Sequence, residues 1–300
     1  MCGAGARKAV VGVEREVVMG ITSLGNRLYV LRNRATNQVE VEDINSSHLL
    51  HHMTVPGLRG GVDIVACAHN CCIYVLDVSS NCVHRLALSH AALTQRPLYT
   101  ALGLPRLAVS GTVVTQWPVH DKPSSLSLAV THSILVTCRE VRKIKEFSTD
   151  GQLLREVVLP DDVVGLAHSV QLPSGEFVVC HGGRADAVHR VCLVSPDGHV
   201  VKSYGGPKGS STLCQMSMPI RLAVDSSGFV FVVDYHNRRV LLLSPLLHYV
   251  QTVVSHEEFK SRPLALHLHV GGNRARRLFV ADNHHKDGRW TTGRVVVFTM

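Results

Sequence analysis

The 300-residue sequence is short of charge, with 18% Asp, Glu, Lys and Arg, and short of aromatics, at 5%. At 45% hydrophobic it is too apolar for a disordered chain. Long apolar runs are also missing. The longest stretch without Asp, Glu, Lys or Arg runs seventeen residues, from Val240 to His256, and is broken by Ser, Pro, His, Gln and Thr. A membrane helix needs about 20 apolar residues, so none is expected. The opening MCGAGARKAVVGVERE lacks the apolar core of a signal peptide, and nine cysteines form an odd set without framework spacing. A reducing, cytoplasmic setting without membrane attachment is therefore expected. No segment holds a 3.6-residue apolar period for three turns, which excludes a helical fold. No G-x-S-x-G, Walker A or dinucleotide fingerprint sits in a strand-to-helix context, which excludes those hydrolase and nucleotide enzymes.

What the chain has is a repeat. Short runs rich in Val, Leu, Ile, Phe and Tyr alternate with turns of Gly, Asn, Asp, Ser and Pro, the pattern of an all-β protein. One run type aligns with itself six times: RLYVL at 27–31, CIYVLD at 72–77, SILVTC at 133–138, EFVVCH at 176–181, FVFVVD at 229–234 and RLFVAD at 277–282. With Tyr29, Tyr74, Leu135, Val178, Phe231 and Phe279 as equivalents, the steps are 45, 61, 43, 53 and 48 residues, the period of a four-stranded propeller blade. The long step places an insertion around 89–111. The last copy lacks a fourth strand, and VVGVEREVV at 10–18 is the spare one. Pairing the chain ends buries both open edges. The sequence thus predicts a six-bladed β-propeller of four-stranded antiparallel blades, one domain over 1–300. Its blades fall near 19–60, 61–119, 120–160, 161–205, 206–255 and 256–300 plus 10–18.

The fifth repeat, PIRLAVDSSGFVFVVDYHNRRVLLL, carries Pro219, Asp225, Gly228, Asp234, Asn237, Arg239 and Val240 in the order of an NHL repeat, which it resembles. Asp225 to Gly228 suits a tight turn, and Asp234 ends a strand where it can accept backbone N–H groups and pair with Arg239. The sixth repeat keeps Asp282, Asn283 and Arg294, while the first four keep only the strand rhythm. The resemblance implies a non-catalytic, protein-binding propeller of the tripartite-motif type, a substrate-recognition module in ubiquitin-ligase assemblies. A complete ligase would need RING or B-box motifs, which this chain lacks.

Propellers of this kind also include metal-dependent lyases and lactonases, whose ligands stand at the inner-strand starts. His168 occupies one such position, but its equivalents read as Ser124, Ile220 and Leu264, which cannot assemble three imidazoles. Asp63 is the sole acidic residue in such a place. His168 is then a hydrogen-bonded structural residue. Cys67, Cys71 and Cys72 beside His69 lack a second C-x-x-C pair and read as buried thiols. His267 and His269 share a strand face, but a metal there would need His181, His284 or His285 close by. No metal, cofactor or catalytic residue is expected.

The balance of 31 Lys plus Arg against 23 Asp plus Glu leaves +8. Loops between second and third strands carry ten basic residues against six acids, with Tyr235 and Trp290 among the arginines. The partner-binding residues expected on this face are Arg142, Arg184, Tyr235, His236, Arg238, Arg239, Lys286, Arg289 and Trp290. A protein is the expected partner. Phosphate contacts and stacking also permit single-stranded RNA, and a divergent propeller metalloenzyme of lyase or lactonase type is the remaining alternative.

Overall fold

The computed structural model describes residues 7–33, 38–46, 48–88, 113–186, 188–207, 215–271, 276–286 and 289–300, so the expected insertion at 89–111 lies outside the described residues. After β1 (Arg7–Arg15) come six sheets. The first holds β2 (Val18–Leu24), β3 (Arg27–Arg32), β4 (Gln38–Asp43) and β5 (Leu49–Thr54); the second β6 (Gly61–Cys67), β7 (Cys72–Asp77), β8 (Cys82–Ala87) and β9 (Val113–Pro118). The third holds β10 (Pro123–Leu128), β11 (Ile134–Cys138), β12 (Lys143–Phe147) and β13 (Leu153–Val158); the fourth β14 (His168–Gln171), β15 (Phe177–His181), β16 (Val188–Val194) and β17 (Val200–Pro207). The fifth holds β18 (Pro219–Val224), β19 (Val230–Asp234), β20 (Arg239–Leu243) and β21 (Tyr249–Val254). The sixth orders β1, β24 (Arg289–Thr299), β23 (Arg276–Lys286) and β22 (Arg262–Val270). This is a six-bladed propeller of four-stranded antiparallel blades. Its ring closes where β1 runs antiparallel to β24, Arg7 opposite Thr299.

The second strands are buried along their whole length, β3, β7, β11, β15 and β19 alike. Buried on both faces, they read as continuous apolar runs rather than alternating ones, which is why they were the alignable signal. The fourth strands are the opposite: β13 exposes five of its six residues. The core is six clusters, one in each gap between neighbouring blades. Tyr29 and Ile73 meet between the first and second, for instance, and Phe231 and Phe298 between the fifth and sixth.

The inner strands β2, β6, β10, β18 and β22 each carry a register shift near their first residues, between Gly61 and Asp63 in β6 and between Pro219 and Arg221 in β18. This recurrent bulge decides which side chains meet at the axis.

Candidate functional site

Counting along the sequence places Ile220 level with His168, but the bulge in β18 moves the register by one. Asp63 pairs with Leu76, Ser125 with Thr137, His168 with Cys180 and Arg221 with Val233, each partner standing one residue before the end of its second strand. Asp63, Ser125, His168 and Arg221 therefore occupy one level of the ring, and the equivalents expected from sequence, Ser124 and Ile220, do not. In the sixth blade the irregularity spans Pro263 to Leu266, so the count to Leu264 does not hold there either.

The inner strands enclose a cavity of about 250 Å³ at the axis, lined by Thr22, Asp63, Ser127, His168, Arg221 and His267 over an apolar bed that includes Ile64 and Leu126. Blades two and five stand opposite each other in the ring, and Arg221 Nη2 comes to 3.7 Å from Asp63 Oδ2 across it. Asp63 also accepts the N–H of Ile64 at 3.0 Å and of Leu126 at 2.8 Å. Burial nevertheless pushes its carboxyl above the ordinary range, outweighing Arg221 and those two donors. The Nε2–H of His168 donates to Leu126 O at 3.2 Å, which leaves Nδ1 as the bare acceptor. Burial first, and the charge of Arg221 second, hold this imidazole down at about 3, so it is neutral. Behind it, burial pushes the Cys180 thiol up to about 12, which removes a thiolate nucleophile.

Three polar atoms around this cavity find no protein partner among the described residues: Arg221 Nε, Ser127 Oγ and His168 Nδ1. A native interior rarely leaves such atoms unpaired without a ligand or water to meet them. Nearer the β2–β3 turn, Ser23 Oγ lies 2.7 Å from His267 Nε2 and 2.9 Å from His269 Nδ1. The two histidines do share a face, as expected, but they converge on a serine. His181 instead sets Nδ1 against Val164 O at 3.2 Å, and His284 sets its own against Thr291. Cys67 and Cys72 are buried opposite each other, Cys71 is half-buried, and His69 stacks on His132 with centroids 4.5 Å apart.

The expected partner-binding residues are mostly engaged in the fold. Arg239 is buried, donates to Asp234 at 2.8 Å and to Gln215 O at 2.7 Å; Arg238 donates to Phe259 O at 2.6 Å. Arg142 pairs with Asp161. Tyr235 is buried, with Arg262 over its ring at 5.3 Å. The structure does bring Tyr235, His236 and Trp290 together, with ring centroids 4.9 and 6.1 Å from Tyr235. Arg184 and Arg289 are exposed, and of Lys286 only the backbone, in β23, is described. Arg221 is the charged cavity residue that sequence reasoning missed. Its signal was a cation inside the apolar inner strand PIRLAV.

No family model and no curated protein matches the sequence. Solved structures do. The chain superposes on virginiamycin B lyase from Staphylococcus aureus with a TM-score of 0.59 at 9% identity, covering 98% of this chain and 99% of that one. A putative gluconolactonase matches with a TM-score of 0.62 at 14% identity, covering 99% and 93%. The aldose sugar dehydrogenase of Streptomyces coelicolor matches with a TM-score of 0.61 at 14% identity, covering 98% and 99%. Such identities establish the propeller fold alone. They overturn the expectation of a non-catalytic NHL-type recognition module all the same. These three propellers are named as enzymes, and two of the arginines on which that expectation leaned, Arg238 and Arg239, are tied into the fold.

Proposed function

We propose that the chain is an enzyme of lactonase type, a hydrolase of small carboxylic esters or lactones, with its reaction in the central channel. One observation carries this reading: three residues that line one small cavity, Arg221, Ser127 and His168, each keep a buried polar atom without a protein partner, a guanidinium Nε, a hydroxyl and an imidazole Nδ1. Donor, dual group and acceptor are what ester hydrolysis needs around a carbonyl. Arg221 holds the carbonyl oxygen as negative charge develops on it. His168, fixed by its bond to Leu126 O, presents Nδ1 to take a proton from the attacking water. The two roles are coupled, because the charge of Arg221 is among the causes that weaken His168 as a base. As the oxyanion forms against the guanidinium, that charge is cancelled and the imidazole strengthens. Asp63 keeps Arg221 extended across the ring and is a positioning residue.

The lyase and lactonase resemblance raises a divalent metal at the axis, and the donor set does not fit one. The one carboxylate lining the cavity among the described residues, Asp63, already accepts two backbone N–H groups and faces a guanidinium, which would repel a second cation. No step is therefore routed through a metal in the channel.

The test is a pH-stat assay of the purified chain on a panel of small lactones and esters. Turnover that survives chelation, falls at least about 100-fold in Arg221→Lys and His168→Gln, and leaves the folded state intact by circular dichroism is expected. No turnover across the panel, or full activity in His168→Gln, would overturn the reading.

A further inference from the structure

Blades two and five end their second strand in an aspartate, and blade six carries the matching Asp282 within β23; each grips the loop arriving from the previous blade. Asp77 accepts the N–H of Arg59 at 2.8 Å and of Gly60 at 3.0 Å, Asp234 that of Ser217, and Asp282 those of Lys260 and Ser261. In blades five and six the residue paired with this aspartate is an arginine, Arg239 and Arg294, which neutralises it. In blade two the paired residue is Cys82. His84, two residues on and on the same face, brings Nε2 to 3.6 Å from Asp77 Oδ2 and 3.5 Å from Cys82 Sγ. Asp77 and His84 are both 0% exposed, and burial lowers the His84 pKa despite the pull of Asp77. A fully buried carboxylate thus faces a neutral imidazole and a thiol where its sister blades supply a cation.

We infer that Asp77, Cys82 and His84 form a zinc site that takes the place of the arginine. The three donor atoms lie within 4.8 Å of one another, and two ligands of one tetrahedral zinc stand about 3.3 to 3.8 Å apart. Thiolate, imidazole and carboxylate together are a zinc-type set. Zinc displaces the Cys82 proton, so the ion enters with one proton leaving the thiol, and the resulting site carries no excess negative charge. The fourth position has an outlet: Cys82 borders a surface cavity of about 430 Å³ walled by Gly57, Ser80, Gln116 and Trp117. Ser80 Oγ, 2.9 Å from Cys82 Sγ, is placed to steady the thiolate.

The experiment uses the full chain, reduced and stripped of metal, with Zn²⁺ alone as the probe. Equilibrium dialysis is expected to give one tightly bound zinc per chain, a rise in melting temperature, and protection of one thiol from alkylation, mapped by mass spectrometry to Cys82. Cys82→Arg restores the pairing of blades five and six, so it is expected to fold, to lose the bound zinc and to melt at a temperature indifferent to Zn²⁺. Should that variant not fold, the protection map of the unaltered chain decides alone. Zinc that protects another cysteine or none, or a folded Cys82→Arg that binds as much zinc as before, would overturn the inference. The assay reads neither ester turnover nor any channel residue, so its outcome is independent of the proposed activity.

Discussion

Asp234 and Asp282, on the second strands of blades five and six, are surrounded by donors: Arg294 alone gives Asp282 two bonds, at 2.9 and 2.7 Å. Asp63 and Arg221, also buried, meet across the channel at 3.7 Å, and the guanidinium keeps an Nε without a protein partner. The first arrangement spends every donor on the fold. The second leaves capacity for something else, and that difference separates a brace from a site although both consist of an aspartate and an arginine.

The sharpest way to break this comparison is to remove a brace. Asp282→Ala strands the buried Arg294 charge and two backbone N–H groups, and is expected to cost about 3 to 5 kcal/mol in urea unfolding. A loss under about 1 kcal/mol would show that the rim pairs are as loosely held as the channel. The double variant Asp63→Asn with Arg221→Met removes both channel charges together. Replacing a whole buried pair is often close to neutral, so stability is expected to move by no more than about 1 kcal/mol while lactone turnover disappears. If it unfolds as readily as Asp282→Ala, the channel pair is a brace too.

Titration sharpens the comparison further. Burial holds His168 and His267 at about 3 in the folded state, well below their ordinary value of 6.5. Between these values the unfolded chain binds the extra protons, so stability is full above about pH 6.5 and is lost progressively as pH falls towards 3. Asp63, with its pKa raised, opposes this: protonation on acidification favours the folded state. His168→Gln keeps a donor for Leu126 O without the titration, and its urea midpoint is expected to drop less between pH 7 and pH 5 than that of the unaltered chain. An equal drop in both would remove His168 from the account. The smallest effect is expected at the surface, where Arg142→Ala breaks a pair with the almost fully exposed Asp161 and should cost less than about 0.5 kcal/mol.

The fold was legible because its most regular strands are its most buried ones. FVFVVD and its five counterparts are selected on both faces at once, and they align by eye. The brace at Asp234 was legible for a similar reason: its partner Arg239 is close in sequence and directly opposite in register. The channel was not. Its charges, Asp63 and Arg221, stand 158 residues apart, and a bulge of one residue near the start of every inner strand but β14 shifts which side chain is level with which. Counting along the sequence therefore put Ile220 where the chain puts Arg221. The correct register follows from pairing with the second strand, and pairing is a property of the assembled sheet.

The link from Asp63 to Arg221 has a mechanical side. It joins diametrically opposite blades, whereas the six apolar clusters join only neighbours. Ovalisation, the softest deformation of a ring, lengthens one diameter and shortens the one at right angles to it, and this link resists stretching along the axis from blade two to blade five. A molecule that draws Arg221 away from Asp63 breaks the one charged contact described between these opposite blades.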